Sequence, residues 1–118
     1  MATKYNLNII KGSRYLKSFI YQDTSKVPID VSGLSARMHI RERENSPDPA
    51  EMELTTTNGR IALGGVNGQI DIVLGATETD TFTITKGVYD MELYNVSDTD
   101  IVDTILEGAV TISDAITR

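Results

Sequence analysis

Apolar residues in this chain recur at every second position, in short runs cut by Gly, Asn, Asp and Pro. A two-residue period puts successive side chains on opposite faces of an extended strand, whereas a helix needs a period near 3.6. Tyr5, Leu7 and Ile9 alternate with polar neighbours, and so do Ala36, Met38 and Ile40, then Met52, Leu54 and Thr56, then Ile70, Ile72 and Leu74. The largest such segment, Gly87 to Ser113, reads as two long strands joined by an acidic turn. Its first strand turns Tyr89, Met91 and Leu93 one way; its second groups Leu106, Val110 and Ile112. Gly108 falls mid-strand, which predicts a bulge or a close approach of another backbone. Short strands at regular spacing, with turn residues between them, indicate a sandwich or barrel.

Between the strands the turn chemistry is specific. Pro28 bars a central-strand role at its position, and Pro47 and Pro49 make residues 44–49 an exposed loop. Asn58-Gly59 is a hairpin signal, and Gly64 to Gly68 reads as a wide hairpin loop. Thr77 to Asp80 breaks the β pattern and predicts a single helical turn near residues 77–82, with Thr77 as its cap and Asp80 reaching back.

At 118 residues the chain is one domain, expected to span residues 1–113 with a short tail over 114–118. It has no cysteine, so no disulfide framework, zinc ribbon or thiol nucleophile is available. No apolar run reaches the roughly 18 residues of a membrane span. The opening MATKYNLNII lacks the apolar region and cleavage site of a secretory signal, so synthesis in a cytoplasm is expected. The net charge of −6 is divided unevenly: residues 1–45 carry eight basic and four acidic side chains, residues 46–118 three and thirteen. The halves can pair within one molecule or stack between copies, and the overall acidity argues against nucleic acid as a partner.

Candidate sites reduce mostly to solvated surface. His39, the single histidine, has no serine in a nucleophile-elbow context, and reads as a solvent-facing strand residue beside Arg37 and Arg41. Asp98, Asp100 and Asp103 cluster in the last hairpin turn without the glycine and terminal glutamate of an EF-hand loop, so no metal is expected. Gly64-Gly65 and Gly68 lack a following Gly-Lys-Ser/Thr, so no phosphate cradle is expected. Glu42, Glu44, Asp48, Glu51 and Glu53 lie in or beside a loop that fixes no carboxylate separation. No catalytic residue, cofactor or metal ligand is assigned.

Several segments together resemble immunoglobulin-like modules of tailed-bacteriophage virion proteins, among them the N-terminal domain of baseplate upper proteins. They are Val27 to Arg41 with its Asp-Val-Ser-Gly and Ala-Arg-Met, Leu54 to Ile61 with Thr-Thr-Asn-Gly, Gly68 to Ile70, Gly87 to Leu93, and Leu106 to Ile112. The resemblance covers nearly the whole domain, and its motifs are structural. It implies an all-β, antiparallel immunoglobulin-like β-sandwich. It also implies a component of a phage tail, neck or baseplate that binds other virion proteins, in several copies around the particle axis, with no nucleic acid or membrane partner. No fibre follows Arg118, so an adaptor or decorating protein is the expected analogue. The expected contacts are Arg37, His39, Arg41, Asp98, Asp100, Asp103 and Arg118. A host-surface carbohydrate-binding module is the alternative, although tryptophan is absent and aromatics make up 6% of the chain.

In an immunoglobulin-like order the strand of Arg37, His39 and Arg41 neighbours that of Asp90 and Glu92. The two outward rows should then meet as opposite-charge cross-strand pairs, each contributing about 0.2–1 kcal/mol.

Overall fold

The computed structural model describes residues 3–44, 51–98 and 102–114. In chain order the strands are β1 (Thr3–Lys4), β2 (Leu7–Lys11), β3 (Tyr15–Ile20), β4 (Ser35–Arg41), β5 (Met52–Thr55), β6 (Ile61–Leu63), β7 (Gln69–Leu74), β8 (Lys86–Tyr94) and β9 (Val102–Asp114). They form two sheets. In the front sheet β1 and β2 lie beside β9, followed by β8, β4 and β5; the back sheet runs β3–β7–β6. The succession β9–β8–β4–β5 opposite β3–β7–β6 is the G–F–C–C′ and B–E–D arrangement of a variable-type immunoglobulin sandwich. The chain is therefore an immunoglobulin-like β-sandwich.

The inward residues are those that the alternation picks out. Ala36, Met38 and Ile40 of β4 are each at most 1% exposed, and face Ile70, Ile72 and Leu74 of β7, equally hidden, across the sandwich. Full burial of such side chains stabilises by about 1.5–3 kcal/mol apiece. Phe82, 2% exposed, joins this core from the segment that leads into β8.

Three local expectations are corrected and one is refined. The sandwich is not wholly antiparallel, because β1 and β2 run parallel to β9, with Thr3 opposite Leu106 and Leu7 opposite Val110. Asn58-Gly59 does not close a hairpin: β5 belongs to the front sheet and β6 to the back, so the turn carries the chain between sheets. Only Gly59 there has a positive φ, while the Asn58 side-chain oxygen accepts from the backbone N–H groups of Thr55 and Arg60. The Gly64 to Gly68 segment does join β6 and β7 as a hairpin, and within it residues Gly65–Asn67 form a short 3-10 turn. The helical turn, α1 (Ala76–Thr79), starts earlier than residue 77, and its reaching carboxylate is Glu78, which accepts from the Gly75 N–H at 2.8 Å. That bond, with the Arg60 guanidinium beside it, holds the Glu78 carboxyl below the usual range.

Thr79 at the end of α1 is the one buried polar side chain among the described residues. Its hydroxyl donates to the Ser13 carbonyl at 2.8 Å and accepts from the Gly12 N–H at 3.0 Å, which ties α1 to the β2–β3 turn.

β9 is the longest strand and the most irregular. Met91 pairs with Leu106, but Glu92 pairs with Thr104, so Ile105 is an extra residue. Both Ile105 and Leu106 are buried as a result, at 5% and 6% exposure. Two residues on, a Cβ on Gly108 would fall far inside van der Waals contact of the Tyr5 carbonyl oxygen. That oxygen also accepts the Tyr89 O–H at 2.6 Å. Gly108→Ala is expected to force β1 and β2 away from β9 and to cost about 1–3 kcal/mol, the range for overpacking. A urea-unfolding midpoint equal to that of the parent chain would show that the Tyr5 backbone yields freely.

Candidate interaction surface

β4 sits between β5 and β8, and its outward residues Arg37 and His39 are consequently paired on both sides, while Arg41 stands opposite Val88 of β8. Arg37 stands opposite Glu92, and its Nε donates to Glu92 Oε1 at 2.7 Å. Its guanidinium also lies 4.5 Å from the centre of the Tyr94 ring. His39 stands opposite Asp90 on one side and Glu53 on the other. The expected meeting of the basic and acidic rows is thus present in the ladder. The pairing differs in detail, since the close ring-nitrogen contact of His39 is to Glu53, at 2.9 Å from Nε2. Arg41 Nη2 lies 3.2 Å from His39 Nδ1. A guanidinium has only donors, so Nδ1 accepts and Nε2–H is the group that donates to Glu53. His39 is half-buried, not freely solvent-facing.

The same rows extend across the sheet. Asp90 faces Glu107 of β9, and Glu107 faces Lys4 of β1. One line of residues, Lys4–Glu107–Asp90–His39–Glu53, therefore crosses the front sheet from edge to edge; with Arg41 on one side of it and the Arg37–Glu92 pair on the other, it makes up the charged line of this face. A groove of about 610 Å³ follows it, lined by Lys4, Asn6, His39, Arg41, Asp90 and Glu107 among others. Burial, then Glu92 and Glu107, push the Asp90 carboxyl above the usual range, against the pull of His39 and Arg41.

Of the remaining expected contacts, Asp98 lies in the bend after β8, and its N–H donates to the Asn95 carbonyl at 3.3 Å. Asp103 does not lie in the hairpin turn; it is a β9 ladder residue opposite Leu93. Asp100 and Arg118 fall outside the described residues, as does most of the 114–118 tail, while Asp114 itself belongs to β9. Among the described residues no three His, Asp or Glu side chains are grouped to hold a metal ion.

Sequence reasoning missed a second surface. β3 borders the back sheet, with β7 as its single ladder partner among the described residues. Its outward residues are Leu16, Ser18 and Ile20, and the two apolar ones are 55% and 49% exposed. Val73 of β7, opposite Leu16, is 38% exposed beside them. The signal is legible in Tyr15-Leu-Lys-Ser-Phe-Ile20, where both alternate sets contain apolar residues. On the inward side Lys17 Nζ lies 4.7 Å from the centre of the Tyr5 ring, and Tyr5 meets Phe19 edge-on at 5.2 Å.

No family model matches this chain, and no curated protein matches it. Solved structures of similar shape include the extracellular domain of the voltage-gated sodium channel beta4 subunit, described as forming parallel homodimers that explain its role in cell-cell adhesion. It is 12% identical over 98% of this chain and 96% of that one, with a TM-score of 0.46. Tim-1 is 9% identical over 100% of this chain and 99% of its own, with a TM-score of 0.43. The immunoglobulin-like assignment of this chain rests on its strand order.

The charged line makes two predictions. A double-mutant cycle on Arg37→Ala and Glu92→Ala should return a coupling of about 0.2–1 kcal/mol that shrinks with added salt; a larger, salt-insensitive value would mean the pair is shielded. Asp90, an acid whose folded pKa is raised, contributes stability below its ordinary pKa and loses it as pH rises through the folded value. Asp90→Asn should therefore gain on the parent chain as pH rises from about 3 to 7. Parallel urea midpoints across that range would refute the assignment.

Proposed function

We propose that this chain is an assembly module of a tailed-bacteriophage particle, acting in the tail, neck or baseplate by binding other virion proteins. The observation that supports the reading is the motif order of the sequence. Ala36 to Met38, Gly87 to Leu93 and Leu106 to Ile112, three of the stretches that carry the resemblance, fold as β4, β8 and β9, adjacent strands of one sheet. Their inward residues build the core, and their outward residues build the charged line. One stretch of sequence thus specifies both the sandwich and the face it offers to a partner.

That face suits protein recognition by complementarity. It holds acidic and basic side chains at fixed ladder positions, Glu107 and Asp90 side by side with Arg37 and Arg41 on the neighbouring strand, so a partner with the inverse pattern is favoured and a shifted partner meets like charge. Arg37 and Arg41 project from a rigid ladder, and Arg is enriched at interface cores because its planar group pairs and stacks at once. The chemistry of the line is ion pairing and hydrogen bonding; the reading assigns it no bond-making step.

Arg37→Ala with Arg41→Ala in the phage that encodes the chain should lower its incorporation into purified particles at least tenfold, while the isolated double variant still unfolds cooperatively. Undiminished incorporation would exclude the charged line as the virion contact. Absence of the parent chain from purified particles would exclude the virion reading itself.

A further inference from the structure

We propose that β3 is a homodimerisation edge, at which two copies of this chain pair antiparallel about Ser18 and join their back sheets into one six-stranded sheet. The inference is independent of the virion reading, and either can fail without the other.

The backbone geometry comes first. In an antiparallel ladder, alternate residues direct both backbone polar groups toward the partner strand or away from it. The Tyr21 N–H donates to the Gly68 carbonyl at the end of the β3–β7 pair. The Val73 N–H, opposite Leu16, donates to the Arg60 carbonyl on the far side of β7. Odd-numbered residues of β3 therefore bond to β7, and Leu16, Ser18 and Ile20 direct their N–H and C=O groups off the sheet. Such an edge is a template for another strand.

Other edges in this fold are less open to pairing. All are shorter than β3: β6 is three residues long, β5 is four residues long with Glu53 exposed on its outer face, and β1 and β2 are two and five residues long. β3 is six residues long, has no proline or bulge, and shows no charge on its outward face. Its one charge, Lys17, faces inward and lies over the Tyr5 ring.

The occupant follows from the sequence of the edge. A twofold axis at Ser18 sets Leu16 opposite Ile20 of the second copy, and Ile20 opposite Leu16. Both are about half exposed in the single chain, and each would gain a cross-strand apolar partner on the same face. The three opposed pairs Leu16–Ile20, Ser18–Ser18 and Ile20–Leu16 all use outward-directed backbone groups, which allows about six new hydrogen bonds. On the inner face the same register sets Lys17 opposite Phe19 of the other copy, an aromatic partner like those it already lies over. A patch that is its own complement under a twofold rotation is what a closed dimer requires.

Sedimentation equilibrium of the intact chain at physiological ionic strength should give twice the 12.9 kDa monomer mass, with a concentration-dependent return to monomer on dilution. Ser18→Pro removes an N–H that β7 does not use and should give the monomer mass with the cooperative unfolding transition retained. Leu16→Lys and Ile20→Glu should each be monomeric alone. Mixing the two should restore the dimer mass, because the introduced ammonium of one copy then faces the introduced carboxylate of the other. A parent chain that stays at 12.9 kDa at every concentration overturns the proposal. So does a mixture that stays monomeric while the parent chain dimerises, since the pairing then uses another edge or register.

Discussion

At Gly108 the backbone of β9 lies so near the Tyr5 carbonyl that any side chain would collide with it, and much of the front sheet follows from that proximity. The Tyr5 N–H donates to the Glu107 carbonyl at 2.9 Å, and the Asn6 side-chain oxygen accepts from the Ala109 N–H at 3.1 Å. These bonds bridge the gap between β1 and β2, so the first strand region keeps one register along β9. The Tyr89 hydroxyl closes the arrangement from β8, and burial pushes its phenol well above the ordinary range. Three strands thus converge on one carbonyl oxygen. With β2 held this way, Leu7 and Ile9 cover the end of the core at 1% exposure each.

The charged line on the outer face is a different kind of feature. The Arg37 and Glu92 side chains remain 44% and 29% exposed, so their attraction is screened and weak against the core beneath. Its value is positional. Side chains of β4 alternate between the two faces, and a slip of one residue would bury Arg37, His39 and Arg41 while exposing Ala36, Met38 and Ile40. The core therefore sets the register, and the ion pairs agree with it. Agreement between burial and charge at the same positions is what narrows a sequence to one pairing.

Much of this is readable from the residues alone. Alternation identifies the inward residues of β4, β7, β8 and β9, because each strand has one face against the other sheet. The Arg37–Glu92 contact is readable because opposite charges fall on outward rows of strands that an immunoglobulin-like order makes neighbours. What is not readable depends on partners distant in the chain. Asn58-Gly59 announces a turn but not the sheet that the next strand joins. Ile105 looks like an ordinary alternate residue until adjacent Met91 and Glu92 are seen to pair with Leu106 and Thr104, leaving it between them. The parallel course of β1 and β2 has no local signature. Thr77 offers a hydroxyl and so looks like the cap of α1, whereas the interaction that forms runs from the Gly75 backbone to Glu78. The open edge of β3 is a property of the sheet, visible only once its single neighbour is known.

The parallel pairing of β1 and β2 with β9 also has a cost in time. Thr3 meets Leu106 across roughly a hundred residues of chain, and closing a loop of that length costs about 4 kcal/mol of entropy before any contact repays it. Pairings this distant slow folding compared with hairpins. A chain emerging at about 5–20 residues per second leaves β2 waiting on the order of 5–20 s for the strand that will hold it. During that interval Leu7 and Ile9 lack the strand beside which they are buried in the finished fold.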